Sequence, residues 1–157
     1  MKTVALFVIT MILTGTSVIS SSKKFAGTYC YGSNIEYTPT GCIDIYPETD
    51  STILFYLSVS KGPPSYSIGQ LYGRAYIKED TAYYTPSEIK TCALAISFSR
   101  NSCTVRSLGN FICQDFGHDV YPDGTFIRTK IAPRNYFTDL TGDTISFNFD
   151  PDKWRGR

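Results

Sequence analysis

The stretch TILFYLSVS, residues 52–60, gives the clearest indication of the fold class. Side chains of an extended chain alternate between two faces, so Ile53, Phe55, Leu57 and Val59 share one face. The opposite face is mainly polar or aromatic. This period of two predicts a β-strand whose aliphatic face lies in a core.

The same alternation recurs along most of the chain. It is clear in residues 68–78 and 91–99, and shorter candidates are 25–31, 41–46, 81–85, 103–108, 125–130 and 144–149. Turn signals rich in Gly, Pro, Asn and Asp separate these segments. We therefore expect an all-β, disulfide-stapled protein, a calycin-like antiparallel up-and-down barrel or a sandwich of about eight or nine strands. Gly69 and Gly73 within one strand fit a barrel, because glycine relieves crowding where a sheet curls.

Composition excludes several classes of protein. The chain has 157 residues, of which 18% are charged and 42% hydrophobic, with a formal net charge of +1. Such a chain is neither disordered nor a coiled coil, and its length suggests one domain. A near-zero net charge argues against a nucleic-acid binder, which needs a basic face to displace counterions from phosphates.

The N-terminal segment is predicted to be a signal peptide. Residues 1–22 hold one Lys, an apolar run over 4–13 and then small residues, and the run is too short to span a membrane. We expect a leader over 1–22, a barrel or sandwich domain over 23–130 and a C-terminal extension over 131–157. The extension is either an added edge strand or a loose tail, and its apolar residues 145, 147 and 149 favour docking. The predicted location is secreted or periplasmic.

The cysteines predict disulfides, because an exported chain meets an oxidising compartment. They are Cys30, Cys42, Cys92, Cys103 and Cys113. An eleven-residue loop separates the first two, and such a loop closes easily. A tight turn near residue 100 would carry Cys92 to the far end of a hairpin, close to Cys113. The expected bridges are Cys30–Cys42 and Cys92–Cys113 with Cys103 free in the core, and a bridge through Cys103 is the alternative.

No catalytic set is evident, so we expect a protein that is not an enzyme. Asp115, His118, Asp119 and Asp123 form the densest polar cluster, but their turn composition explains it and no nucleophile motif adjoins the only histidine. No Cys-x-x-Cys pair and no phosphate-binding loop is present. The sequence predicts neither a metal site nor a cofactor.

Tyrosines and one loop are the candidate binding elements. Tyr72, Tyr76 and Tyr83 fall opposite the aliphatic stripes, where they suit a recognition surface, although tyrosine also has high strand propensity. The loop over residues 58–67 contains Ser60, Lys61 and Tyr66 around two adjacent prolines. The prolines stiffen the loop, which favours docking into a partner's cleft, and an ordinary hairpin connection is the alternative.

Residues 69–126 resemble a group of small exported bacterial β-domains of poorly defined function, some associated with lysozyme-inhibitor-like proteins. The matching motifs are GxLxGxAxI at 69–77, AxY at 82–84, CxLxxxF at 92–98 and CQDFGHDVYPDGTF at 113–126. The resemblance implies a bridge between Cys92 and Cys113, and a scaffold rather than an activity. Residues 58–66 are also similar to the Ser-Gly-Tyr loop of periplasmic C-type lysozyme inhibitors, here interrupted by Lys61 and the prolines.

Together these features predict a secreted or periplasmic, non-catalytic binding protein. The most specific version of this prediction is an inhibitor of a cell-wall hydrolase such as lysozyme. The alternative is a lipocalin-like carrier of a small apolar ligand. Neither nucleic acid nor a membrane span is expected. The candidate binding residues are Ser60, Lys61, Tyr66, Tyr72, Tyr76 and Tyr83.

Overall fold

The computed structural model describes residues 22–86, 92–109, 113 and 116–154, and a closed antiparallel barrel dominates this part of the chain. The barrel strands are β1 (Gly27–Tyr31), β2 (Thr40–Pro47), β3 (Thr52–Ser60), β4 (Ile68–Lys78), β5 (Thr81–Tyr84), β6 (Ala93–Phe98), β7 (Ser102–Leu108) and β8 (Gly124–Lys130). Each strand pairs with the next along the chain, and β8 pairs with β1. The predicted all-β fold is confirmed. Of the two predicted architectures, barrel and sandwich, the structure shows the barrel.

The start of the chain differs from the prediction. Residues 25–31 were expected as one strand, but Lys23–Phe25 forms a 3-10 helix before β1. The chain turns here across one end of the barrel, where the ring of Phe25 stacks on Phe98 with centroids 4.0 Å apart. Phe25 therefore plugs this end. The predicted leader lies outside the described residues apart from Ser22.

Apolar side chains fill the barrel interior. Because side chains alternate, every second strand residue points inward, and Ile43, Ile53, Leu57, Leu71 and Ile96 are all fully buried. These residues belong to one contact cluster that reaches every barrel strand. The described interior is a packed core of the kind that small barrels have.

The buried hydroxyl of Tyr29 lies at the end of this core that Phe25 covers. The hydroxyl of Tyr29 donates to the Phe25 carbonyl (2.9 Å) and accepts a hydrogen bond from Nε of Arg128 (2.9 Å). Burial raises the pKa of Tyr29, and the Arg128 guanidinium partly opposes that shift. The hydroxyl thus stays neutral and hydrogen-bonded at this end of the barrel.

The C-terminal extension packs on the outside of the barrel. Its described part, residues 131–154, is called the strap and contains β9 (Tyr136–Thr138), β10 (Thr144–Ser146) and the short helix α1 (Pro151–Trp154). β9 and β10 form a two-stranded sheet of their own rather than an added edge of the barrel. Residues 155–157 lie outside the described part.

A second apolar cluster lies between the strap and the outer face of β3 and β4. Phe137 stacks on Tyr56 with centroids 3.9 Å apart, and Phe147 and Trp154 make edge contacts with Tyr72. Because the strap covers this face, β3 is buried on both sides, which a single alternating pattern does not reveal.

Hydrogen bonds to the strap backbone accompany these ring contacts. The Tyr56 hydroxyl donates to the Thr138 carbonyl (3.1 Å), and the Tyr72 hydroxyl donates to the Phe149 carbonyl (2.7 Å). Burial raises the pKa of both tyrosines far above the ordinary value. Both hydroxyls therefore remain donors across the working pH range.

All five cysteines lie in the described part of the chain, and four form disulfides. Cys30–Cys42 joins β1 to β2, and Cys92–Cys113 joins the start of β6 to the β7–β8 connection. Cys103 is free and buried, so the predicted pairing is confirmed and the alternative through Cys103 is wrong. Two disulfides are consistent with an extracellular or otherwise oxidising compartment. Within the described residues, no helix has the length and apolar character that a membrane crossing requires.

Candidate binding site at the loop end of the barrel

Within the described residues, three connections meet at the barrel end opposite Phe25. They are the β1–β2 loop (residues 32–39), the β3–β4 loop (61–67) and residues 116–123 of the β7–β8 connection, and together they are called the loop face. Gly62 lies against the backbone of Thr38 and Pro39, and Lys61 contacts Asp119. The three loops thus support one another on a rigid scaffold, which is where binding residues are commonly found.

The β3–β4 loop is closed by its own backbone hydrogen bonds. The Lys61 N–H donates to the Ser67 carbonyl (3.0 Å), and the Tyr66 N–H donates to the Gly62 carbonyl (2.8 Å). The Ser60 hydroxyl accepts from the Gly62 N–H (3.2 Å). Gly62 has φ of +72°, and a β-carbon there would come within 2.9 Å of the Thr38 carbonyl, so the position requires glycine. The loop is therefore held in one shape before any partner arrives.

An ion pair joins this loop to the β7–β8 connection. Nζ of Lys61 lies 3.0 Å from Oδ2 of Asp119, and Nε2 of His118 lies 3.5 Å from the same oxygen. The hydrogen bond from Lys61 lowers the pKa of Asp119, and the neighbouring His118 and Lys61 charges add to that effect. The imidazole is 94% exposed. This arrangement links the two loops by an exposed ion pair and leaves His118 in solvent.

Each described loop of the loop face carries one exposed tyrosine. Tyr37 is 74% exposed, Tyr66 48% and Tyr121 68%, one from each loop. Ile35 is also exposed. Tyrosine offers a flat apolar body with a polar tip at a low cost in side-chain entropy, which is why it is frequent in binding surfaces.

A recess of ≈ 400 Å³ opens beside the loop face. Ile35 and Tyr31 line one side, and Ser58, Ser60 and Ile68 line the other. The recess is mainly apolar with hydroxyls at its edge, so it has room for an apolar side chain of a partner.

The predicted binding residues divide into three groups. Ser60, Lys61 and Tyr66 come together at the loop face, although Ser60 is itself buried. Tyr76 and Tyr83 are a cross-strand pair on the outer wall of β4 and β5, toward the plugged end. Tyr72 is fully buried beneath the strap and is not available to an outside partner in this arrangement.

Sequence reasoning missed the contribution of the β1–β2 loop. Ile35 and Tyr37 stand among Gly, Ser, Asn, Thr and Pro residues, where a large apolar side chain has no core to enter. That contrast is the signal that would have identified them. The Lys61–Asp119 pair had no sequence signal, because 58 residues separate the partners.

The polar cluster near His118 has structural roles where it is described. Asp123 accepts hydrogen bonds from the Ser107 backbone N–H (3.0 Å) and from the Ser107 hydroxyl, which ties the β7–β8 connection to β7. Asp115 lies outside the described residues. Across the described ranges, no group of three or more His, Cys, Asp and Glu side chains is arranged to hold a metal ion.

Comparison with known proteins finds no relative of this chain. No family model matches the chain, and neither a curated protein nor a solved structure is significantly similar to it.

Proposed function

We propose that this chain is an exported, non-catalytic binding protein that inhibits a cell-wall hydrolase through its loop face. One observation carries the proposal. The β3–β4 loop is closed by its own hydrogen bonds, presents Tyr66 to solvent and lies beside an apolar recess. Little conformational entropy is lost when such a loop enters a partner's cleft.

The chemistry of the loop face suits a protein partner. Tyrosine is among the residues that dominate protein–protein binding energies, and three exposed tyrosines share this end of the barrel. Among the described charges of the loop face, Lys61 and Asp119 neutralise each other, and Glu36 and Asp123 add two exposed carboxylates. Binding would depend mainly on shape and aromatic contact, with these carboxylates favouring a partner surface of opposite charge.

A wall hydrolase is the preferred partner because its substrate cleft is concave and accepts a protruding loop. The similarity of residues 58–66 to the loops of periplasmic lysozyme inhibitors supports this choice. The two disulfides fit the oxidising compartment in which such enzymes act.

The packed barrel interior speaks against a carrier of apolar ligands. A carrier needs an interior cavity of several hundred Å³. In the described strands the inward positions hold Phe55, Leu57, Leu94 and Phe126, which are fully buried within one cluster. We therefore do not advance the carrier as a second function.

The proposal is tested by measuring lysis of purified cell walls. The purified protein is titrated against a panel of muramidases, wall amidases and wall endopeptidases. We expect it to inhibit at least one of them at near-stoichiometric concentration. Tyr66→Ala should weaken that inhibition by at least about tenfold, as loss of a central tyrosine commonly does.

Tyr136→Ala is the matched control. Tyr136 has the same 48% exposure as Tyr66 but lies on the strap. Its substitution should leave inhibition unchanged. Failure to inhibit any enzyme of the panel, or an equal loss in both variants, would count against the proposal.

A further inference from the structure

The outer wall of the barrel carries two parallel rows of side chains that cross the strands away from the loop face. One row runs Tyr76, Tyr83, Ala95, Arg106 across β4 to β7, following the register of those strands. The other row runs Thr81, Ser97, Thr104, Thr125 across β5 to β8. Together the two rows are called the strip.

These side chains point outward, because their strand neighbours fill the core. Ala82, Ile96, Val105 and Phe126 are fully buried between them. Neighbouring strands lie about 4.8 Å apart, so each row is about 14 Å long, and the rows are about 7 Å apart along the strands. The strip is thus an extended surface rather than a pocket.

The first row offers bare aromatic rings. Tyr76 is 64% exposed and Tyr83 41%, and among the described residues neither makes a ring–ring contact. Ala95, the next residue in the row, is too small to cover the ring of Tyr83. Two adjacent aromatic faces are therefore open to a ligand that lies across the strands.

The second row offers hydroxyl groups. Oγ1 of Thr81 lies 3.2 Å from Oγ of Ser97, and Oγ1 of Thr104 lies 3.2 Å from Oγ1 of Thr125. A hydroxyl has one donor and two acceptor sites, so each member of a pair keeps capacity for a further hydrogen bond. The row can therefore bond to a partner that is itself rich in hydroxyls.

Charge along the strip has one sign. Arg106 ends the tyrosine row, and Lys78 pairs with Thr81 at the start of the hydroxyl row. Neither row contains a carboxylate. Of the acids next to the strip, Asp80 is ion-paired with Lys24 (2.7 Å) and Asp123 accepts from Ser107. Glu79 follows Lys78 in the β4–β5 turn, and Asp152 lines a recess together with Tyr76, so both lie at the β4 end of the strip and not beside Arg106. Two cations are too few for a nucleic-acid groove, which needs many phosphate contacts.

From this combination we infer that the strip binds an acidic polysaccharide chain. A pyranose ring has an apolar C–H face and a rim of hydroxyls, so the tyrosine rings contact the faces while the Thr and Ser hydroxyls bond to the rim. Arg106 and Lys78 then pair with carboxylates of the sugar units. The hydroxyl row, by contrast, is more polar than the buried core of a protein interface.

Polygalacturonate and the same polymer after chemical reduction of its carboxyl groups are the probes. They share one backbone and differ in charge. Affinity electrophoresis of the purified protein should show retardation by polygalacturonate and a clearly weaker effect of the reduced polymer. Arg106→Gln should remove most of that preference.

The double variant Tyr76→Ala/Tyr83→Ala should weaken binding of polygalacturonate by at least about tenfold. Ala95→Glu should weaken it as well, because it places a like charge on the strip without removing a contact. Tyr136→Ala is the control and should bind as the native protein does. Circular dichroism confirms that each variant is folded.

Three outcomes would overturn the inference. They are no binding of either polymer, equal binding of both, and unchanged binding in the tyrosine double variant. The strip variants should still inhibit the wall hydrolase, since they do not alter the loop face. The two proposals can therefore fail independently.

Discussion

Cys103 shows how burial controls reactivity at the scale of a single residue. Its side chain is 1% exposed on the inner face of β7, and burial raises the pKa of the thiol to about 12. The thiolate is the reactive form, so the native protein should react with iodoacetamide at pH 8 only through unfolding. Mass spectrometry should find no carbamidomethyl group on the native chain and one on the chain unfolded in guanidinium without reductant.

The same raised pKa sets the direction of a pH effect on stability. The folded state holds the Cys103 proton more tightly than the unfolded state, so this contribution is complete below the ordinary thiol pKa of 9.0 and is lost as pH rises above it. Cys103→Ala removes the titration, and its unfolding midpoint should fall less between pH 8 and pH 10 than that of the native protein. Fast labelling of the native thiol would contradict this description of the site.

Four tyrosines mark the limit of sequence reasoning at the residue scale. Alternation correctly places Tyr56, Tyr72, Tyr76 and Tyr83 outside the barrel wall, yet the first two are buried and the last two are exposed. The difference arises from the strap, which returns from more than 50 residues further along the chain. A pattern of period two reports the side of a sheet, and it does not report what covers that side.

At the scale of elements, Gly69 leaves room for the ring of Phe116, which covers the loop end of the core. A β-carbon at Gly69 would lie 2.0 Å from the Phe116 ring and 2.7 Å from its Cβ. We therefore expect Gly69→Ala to displace Phe116 and to reduce the free energy of unfolding by about 1–3 kcal/mol, as overpacking does. Urea titration measures the change.

Gly124→Ala is the control for this substitution. Gly124 also lies in a barrel strand, but a β-carbon there would meet its nearest neighbour at an ordinary 3.4 Å. Its effect should be much smaller. If Gly69→Ala acts through Phe116, adding Phe116→Ala should cost less in the Gly69→Ala background than alone, and additive effects would argue against the contact.

The strap is an element whose attachment rests on few side chains. Phe137 is 3% exposed and contacts Tyr56, Tyr72 and Phe147. Phe137→Ala should lower the free energy of unfolding by about 3–5 kcal/mol if the strap and barrel unfold together. Its neighbour Tyr136 points outward, so Tyr136→Ala should change the same denaturation midpoint very little. An effect of Phe137→Ala as small as that of Tyr136→Ala would mean that the strap does not stabilise the fold.

Elements were predictable where the pattern is long enough to count. The predictions over 52–60 and 68–78 coincide with β3 and β4, because nine or eleven residues repeat the alternation several times. Tyr136–Thr138 is only three residues long and was missed. Lys23–Phe25 forms a 3-10 helix that brings Phe25 onto Phe98, and such a contact between distant residues is not encoded in a local pattern.

At the scale of the whole molecule, the disulfides should contribute much of the stability. They close segments with sequence separations of 12 and 21 residues, and a loop-entropy model gives about 3 kcal/mol for each. Replacing either pair by alanine should lower the guanidinium midpoint accordingly, with the larger effect for Cys92 and Cys113. Cys103→Ala serves as the control, and an effect of either pair smaller than this control would contradict the model.

The candidate site was only partly predictable because it is assembled from distant segments. Lys61 and Tyr66 stand in one proline-containing loop, so their sequence context identified them. Tyr37 and Tyr121 join that loop through the packing at Gly62 and the Lys61–Asp119 pair. The polar surroundings of Tyr37 mark it as exposed, but nothing near either tyrosine in the sequence indicates which loop it lies beside. The strip was likewise hidden until strand register aligned its rows.

The ring contacts of the strap also provide a built-in optical reporter. Trp154 is the only tryptophan of the chain, and its centroid lies 6.2 Å from that of Tyr72 and 6.3 Å from that of Phe137. Its fluorescence therefore reports attachment of the strap, whereas far-ultraviolet circular dichroism reports the barrel. If the two signals change together during denaturation, strap and barrel form one cooperative unit. An earlier shift of the emission to longer wavelength would mean that the strap detaches first and uncovers the tyrosines beneath it.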